Sequence, residues 1–361
     1  MLKILDRYII KKFLTTFFFM LGVVMLLAMV FDISERLGDF IQKEAPLKGI
    51  FFDYYVNFII HFGNLFSPLI VFISVIWFTS KLAQNTEIIP MINSGRNFLR
   101  LMRPYMIGAT ILMLISLVMN HFVLPESNRI RLQFEEDYYR NERRISNYYA
   151  QFPDAKTVYF DSYRSDLHRV LGLVVEQRDE DNKLVSILKA REARNSDSTF
   201  QWEIQDYFIR FIGDPHDSIV VGKPRETMDT VFPFQLLEMA QRQTIVQTMG
   251  FYEIQDFIEY EKEKGNPNIA FFEIEFYQRT SFPFATYVLT LIGMVLASRK
   301  TRGGVGVNLA IGIALAILYI FAMKVSTVAA VNVGFPTYLA VWLPNIIFAF
   351  IGLYIYRFTP K

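Results

Sequence analysis

Six stretches of this sequence are apolar for long enough to cross a bilayer, and one polar insert divides them three and three. A helix needs about 20 apolar residues to span the roughly 30 Å hydrocarbon layer. Phe13 to Phe31 and His61 to Phe78 carry no formal charge. Pro104 to Leu124, Ser281 to Ser298, Val305 to Val333 and Thr337 to Tyr356 follow, and Lys324 alone interrupts the fifth. A soluble core does not account for such runs. The expected fold class is an α-helical membrane protein with six transmembrane helices and a β domain, sandwich or jelly-roll-like, between helices 3 and 4. The first run is too long for a signal peptide and lacks a small-x-small cleavage site.

Lys and Arg collect in loops on the cytoplasmic side of membrane proteins. Here they lie before the first run (Lys3, Arg7, Lys11, Lys12), after the second (Lys81, Arg96, Arg100, Arg103), after the fourth (Arg299, Lys300, Arg302) and at the end (Arg357, Lys361). With six spans these segments share one face. The opposite short loops hold only Arg36, Lys43 and Lys48. The expectation is a multi-pass membrane protein with both termini cytoplasmic and the insert in a periplasm-like space. A net charge of +2 gives no bulk attraction to nucleic acid, and zero cysteines exclude disulfides, thiolate metal sites and a Cys nucleophile.

The insert covers residues 126–280, between a membrane half at 1–125 and another at 281–361. It begins with helical spacing at Ile130, Phe134 and Tyr138. After Pro153 the period changes: Phe200, Trp202 and Ile204 alternate with Gln201, Glu203 and Gln205, as in a half-buried strand. Leu167 to Gln177 and Lys183 to Ala190 read as strands joined at Asp179 to Asn182, and Gly213 to Ser218 as a turn before Ile219 to Val221. Short strands at this spacing suit a sandwich or a jelly roll. Strands end near Phe234. Phe251, Ile254, Phe257 and Ile258 then mark an amphipathic helix closing at Gly265, which either links the β domain to the fourth span or packs on its side.

Chemistry-bearing motifs are sparse. Gly303-Gly304-Val305-Gly306 lacks the Lys and Ser/Thr of a phosphate loop, so no ATP or other cofactor is expected on this chain, and the glycines read as a tight turn. His61, His121, His168 and His216 are scattered without H-E-x-x-H, so neither a metal site nor catalysis is expected. Two features stand out. In the loop from Lys81 to Arg103, Asn85 or Thr86 is expected to cap a short helix with Glu87 in its first turn. Pro90 and Asn93-Ser94-Gly95 break that helix before Arg96, Arg100 and Arg103. The loop reads either as a docking element for a motor ATPase or as an interfacial loop whose arginines meet anionic lipid. The second feature is Lys324: an ionisable group inside a span is a candidate functional residue, unless it snorkels to the interface. With Arg36 and Lys43 it places cations at the depth of outer-leaflet headgroups, suited to a phosphorylated lipid. Arg36 and Lys43 could equally pair with Glu35, Asp39 and Glu44.

In these residues the chain resembles the LptF/LptG (YjgP/YjgQ) permeases. The three-span, β domain, three-span layout resembles theirs. Leu5-Asp6-Arg7-Tyr8, Asn85-Thr86-Glu87-Ile88 through Gly95, Glu275 with Arg279 and Pro283, and Val341-Trp342-Leu343-Pro344-Asn345 look like that family's motifs in order. Pro90 and Arg96-Asn97 depart from its coupling segment. The resemblance implies the permease half of an ABC exporter in a bacterial inner membrane, itself no enzyme. Its implied partners are a dimer of ATPase subunits that bind the ATP, a second permease of the family, a periplasmic bridge protein and lipopolysaccharide. It also implies ATPase coupling through Glu87, Gly95, Arg96 and Arg100, and a lipid gate at Arg36, Lys43 and Lys324. The alternative is a membrane-anchored scaffold whose β domain binds a partner without transport.

Overall fold

A computed structural model describes residues 3–88, 98–139, 144–152, 156–164, 168–179, 181–195, 200–213, 216–232, 243–266, 268–298 and 304–357. Helix α1 spans Ile4–Gln42 and α2 Val56–Gln84, the latter preceded by a π-helical segment at Ile50–Tyr55. Helix α3 (Phe98–Val118) runs through a second π-helical segment, Met119–Val123, into α4 (Leu124–Tyr138). After the insert come α6 (Ile269–Ala297), α7 (Gly304–Val333) and α8 (Thr337–Arg357). Among the described residues six helices are long and apolar enough to cross a membrane, as expected. Most outrun their apolar stretches. At 39 residues α1 is about 58 Å long, roughly twice the hydrocarbon thickness, so polar turns extend it past the bilayer.

The chain forms two compact units, one of residues 1–139, 246–251 and 270–361, the other of 140–245 and 252–269. In the first, α2 is central. Ile9, Phe13 and Phe17 of α1 pack on its Val71, Val75 and Phe78. Its Phe72 and Ile76 meet Leu289 and Ile292 of α6 and Ala316 and Tyr319 of α7. The apolar windows of α2 and α6 are 56% and 61% buried, against 17% for α1 and 22% for α7, so the last two present wide apolar faces to lipid or to another chain. In a bilayer no hydrophobic effect drives helices together, so polar pairs serve as fasteners. Asn308 Nδ2 donates to Ser80 Oγ (2.9 Å), and Thr79 Oγ1 to Tyr105 Oη (3.1 Å). Asn345 accepts from Tyr319 Oη (2.8 Å) and donates to the Ser281 carbonyl (2.9 Å), joining α6, α7 and α8.

Among its described residues the second unit holds an antiparallel seven-stranded sheet: β1 (Arg144–Phe152), β2 (Lys156–Arg164), β3 (Arg169–Arg178), β4 (Leu184–Asn195), β5 (Gln201–Phe211), β6 (Ser218–Val221) and β7 (Thr227–Val231), followed by helix α5 (Phe251–Glu263). The strand order is sequential, with β6 and β7 sharing β5 as neighbour. The described strands thus follow one another through a single folded sheet, the β domain expected between helices 3 and 4. A crease lets this one sheet bury its inner face. Asp161, Gly172, Arg191 and Asp206 lie in one row across β2 to β5, and each is skipped by the ladder pairing. On one side of the row Phe160, Leu173 and Ala190 point into the core; on the other Tyr163, Val170, Ala193 and Ile204 do. The row inserts one out-of-phase residue into each of these four strands, so the same face stays buried through the bend. Gly172 takes φ +68°, and a Cβ there would overlap the Asp161 carboxylate. Gly172→Ala should therefore cost the sheet at least about 2 kcal/mol. The check is earlier protease cleavage in β2 to β5 with helical circular dichroism retained. At the β5–β6 turn, a hydrogen bond from Arg210 holds the exposed Asp217 carboxyl below the usual carboxylate range.

Candidate lipid-binding and coupling sites

At the end of the helical unit from which the chain leaves for the insert, two cavities share a wall. The larger, about 500 Å³, has apolar walls from Phe271, Ile274, Val328 and Val331 and a polar side of amides and charges: Asn64, Asn128, Gln247, Glu275, Arg279 and Lys324. The second, about 310 Å³, is apolar, with Pro68, Leu69, Leu289, Tyr319 and Met323. Leu65, Gln278, Phe282, Lys324 and Thr327 line both.

The polar cavity is built by fixed amides. Ser116 Oγ donates to Asn64 Oδ1 (2.8 Å), and Asn64 Nδ2 to Asn120 Oδ1 (3.1 Å). Asn120 sits in the second π-helical segment and returns a bond to the Ser116 carbonyl (2.8 Å). π-Helical turns redirect side chains and recur at functional sites. A 3₁₀ turn, Gln243–Thr248, supplies Gln247. Its anchor is Arg279 of α6, 5% exposed, whose guanidinium donates to the Val246 (2.7 Å) and Met249 (2.8 Å) carbonyls. Asn128 Nδ2 donates to the Gln247 carbonyl (3.2 Å), and Gln247 shares the cavity wall with Glu275, one turn before Arg279.

Of the three cations expected at a gate, the structure brings only Lys324 to these cavities. Arg36 is half-buried on α1, 3.3 Å from Glu35, with its guanidinium 4.3 Å from the Tyr139 ring centre. Lys43 is exposed at the C-terminus of α1. Around Arg36 is a cluster that the sequence does not flag. Asp32 accepts from Tyr54 and Tyr55 (3.1 Å each), and the Tyr54 and Tyr139 hydroxyls bond at 3.2 Å. A buried Arg131–Glu135 pair lies one turn before Tyr139. Burial and the Glu135 charge push the Tyr139 phenol far above its ordinary pKa, so it stays a neutral hydrogen-bonding group.

At the other end of the helices α2 closes on Asn85. Thr86 N–H bonds the Ala83 carbonyl (3.1 Å) and Glu87 N–H the Leu82 carbonyl (2.9 Å), with Thr86 at φ +59°. This is a Schellman ending. It corrects the expectation that Asn85 or Thr86 opens the next helix: they terminate α2, and Glu87 directly precedes helical Ile88. Glu87 accepts from Tyr8 Oη and from Asn85 Nδ2, both at 3.2 Å. Arg100 Nη2 pairs with Asp6 Oδ2 at 2.7 Å. Pro90, Gly95 and Arg96 lie outside the described residues. Gly304, at φ +72°, opens α7 so near Gln84 that a Cβ would stand 2.6 Å from its Nε2.

The sequence model of the lipopolysaccharide export system permease LptF/LptG family matches residues 7–357, nearly the whole chain. The chain belongs to that family. No curated protein matches it. As an LptF/LptG member it is a multi-pass membrane protein with a β insert. The motif residues that carry the resemblance turn out to be fasteners: Arg279 clamps the 3₁₀ turn, and Asn345 ties three helices together.

Proposed function

We propose that the chain is the permease subunit of an ABC exporter. It takes lipopolysaccharide from the outer leaflet of the inner membrane and passes it to a periplasmic bridge. Separate ATPase subunits bind and hydrolyse the ATP. The observation that carries this reading is the pair of cavities meeting at Lys324. A phosphorylated lipid needs a polar pocket for its headgroup beside an apolar slot for an acyl chain. An ammonium between the two suits a charge-assisted bond to phosphate. The distribution of Lys and Arg supports cytoplasmic termini and a periplasmic β domain. The wide apolar faces of α1 and α7 support a second permease subunit of the family, with lipid between the two. Glu87, Gly95 and Arg96 would dock the ATPase dimer, and its closure would move the helices as rigid bodies, without bond chemistry on this chain.

The test is reconstitution with an ATPase subunit in vesicles carrying lipopolysaccharide. ATP-dependent loss of lipid from the vesicles is expected; binding of a β-domain partner without such loss would favour the scaffold. Glu87→Ala should reduce co-purification of the ATPase at least tenfold. Full co-purification together with normal lipid-stimulated turnover would remove Glu87 from the docking site.

A further inference from the structure

We propose that Asp6 and Tyr8 are positioning residues that lock the amino-terminal end of α1 to both ends of the ATPase-docking segment, so that α1 moves with it. The proposal rests on the permease reading above. Its geometry is independent of it.

The two contacts bracket residues 89–97. Tyr8 donates to Glu87, just before that stretch, and Asp6 pairs with Arg100, just after it. The partners are 79 and 94 residues apart in sequence, so local helix chemistry does not account for either. Asp6 is built in firmly. It is 3% exposed, and it also accepts the Lys3 backbone N–H (2.9 Å), capping α1 with the same carboxylate that holds Arg100. A charge-assisted pair with one partner nearly buried is held more firmly than a surface ion pair. Tyr8 is oriented from its other side: Lys12 Nζ donates to its hydroxyl at 2.9 Å, leaving the phenol proton for Glu87. Arg100 is thus engaged within the chain, which makes it a strut rather than a docking contact.

Helix α1 can transmit what it receives. It has no internal proline, and its first half is wedged by Phe13 against Phe78, which stacks in turn on Tyr105. Its far end carries Asp32 and Arg36, bound into the Tyr54–Tyr139 cluster. A displacement of the docking segment therefore reaches the opposite end of the same rod.

The chain has no cysteine, so spin labels can be placed at Ile4→Cys and Lys81→Cys, both exposed. In this background the inter-label distance should be single and narrow, and should broaden in Asp6→Asn and in Tyr8→Phe. Asp6→Asn keeps an acceptor for the Lys3 N–H and loses only the charge. In vesicles with the ATPase subunit, both variants should retain ATPase association and ATP turnover within twofold, while lipid moved per ATP falls at least threefold. Asp6→Glu should recover part of that loss. Unchanged distances, or lowered thermal stability with unchanged lipid per ATP, would overturn the proposal. So would loss of ATPase association in Tyr8→Phe, because Tyr8 would then be a docking residue. If the unmodified chain neither holds an ATPase nor releases lipid, the permease reading fails, and the label distances still decide the lock.

Discussion

Arg279→Ala should lower the stability of the helical unit by about 3–5 kcal/mol, the range for removing one partner from a buried charged network. The guanidinium is almost fully buried and satisfies two carbonyls at the end of the 3₁₀ turn. Alanine leaves both carbonyls without those donors, and it leaves the Glu275 carboxylate beside an empty volume. Lysine offers the charge but not the planar fork. Arg279→Lys should hence fall between wild type and alanine. Thermal melts in detergent measure the loss. Hydrogen exchange in Gln243–Thr248 tests the cause, because that turn should lose protection before the α2–α6 packing does. Unchanged melting and unchanged exchange would show that Asn128 and Arg129, which donate to the Gln247 and Thr248 carbonyls, fasten the turn without Arg279. Since Gln247 is on the turn, the same variant should also open one wall of the polar cavity.

What could be read in advance follows from how much each constraint writes into a short window. A bilayer forces about 20 consecutive apolar residues on a spanning helix, so all six spans are visible. Their polar extensions, such as Asp32 to Gln42 of α1, are not, because helix continues past the hydrocarbon without an apolar signature. Alternation reveals β5 at Phe200 to Gln205. It does not carry β3, whose run Leu167 to Gln177 is read as a strand from its apolar residues and the turn that follows, because Gly172 in the crease resets the phase. It also misses β1 and β2, whose tyrosines lie on both faces and mask the period. Asn85 and Thr86 were ambiguous for a physical reason: short polar side chains cap either end of a helix. The positive φ of Thr86, unusual for a β-branched residue, has no local sequence signal. Lys324 was legible because a charge inside an apolar run is costly. Its surroundings were not. Gln247, Glu275 and Arg279 are ordinary polar residues in sequence, and tertiary folding brings them to one cavity.

Lys324→Ala should reduce photocrosslinking of lipopolysaccharide to a probe at Thr327 by about 10- to 100-fold, the equivalent of the roughly 1.5–3 kcal/mol typical of a hydrogen bond to a charged group. The residue lines both cavities, so the loss should appear in headgroup and acyl-chain contacts together. Lys324→Arg keeps the charge and should retain most of the crosslinking. A snorkelling lysine gives a different pattern: alanine would leave crosslinking intact, and the ammonium would matter only to the depth at which α7 sits. Arg36→Ala is the informative comparison. Its guanidinium is engaged by Glu35 and by the Tyr139 ring, so removing it should loosen α1 from the aromatic cluster and lower the melting temperature. Crosslinking at Thr327 should change little. If Arg36→Ala and Lys324→Ala were equally damaging to crosslinking, the lipid would have to reach from α7 to α1, and the two-cavity site would be only part of its path.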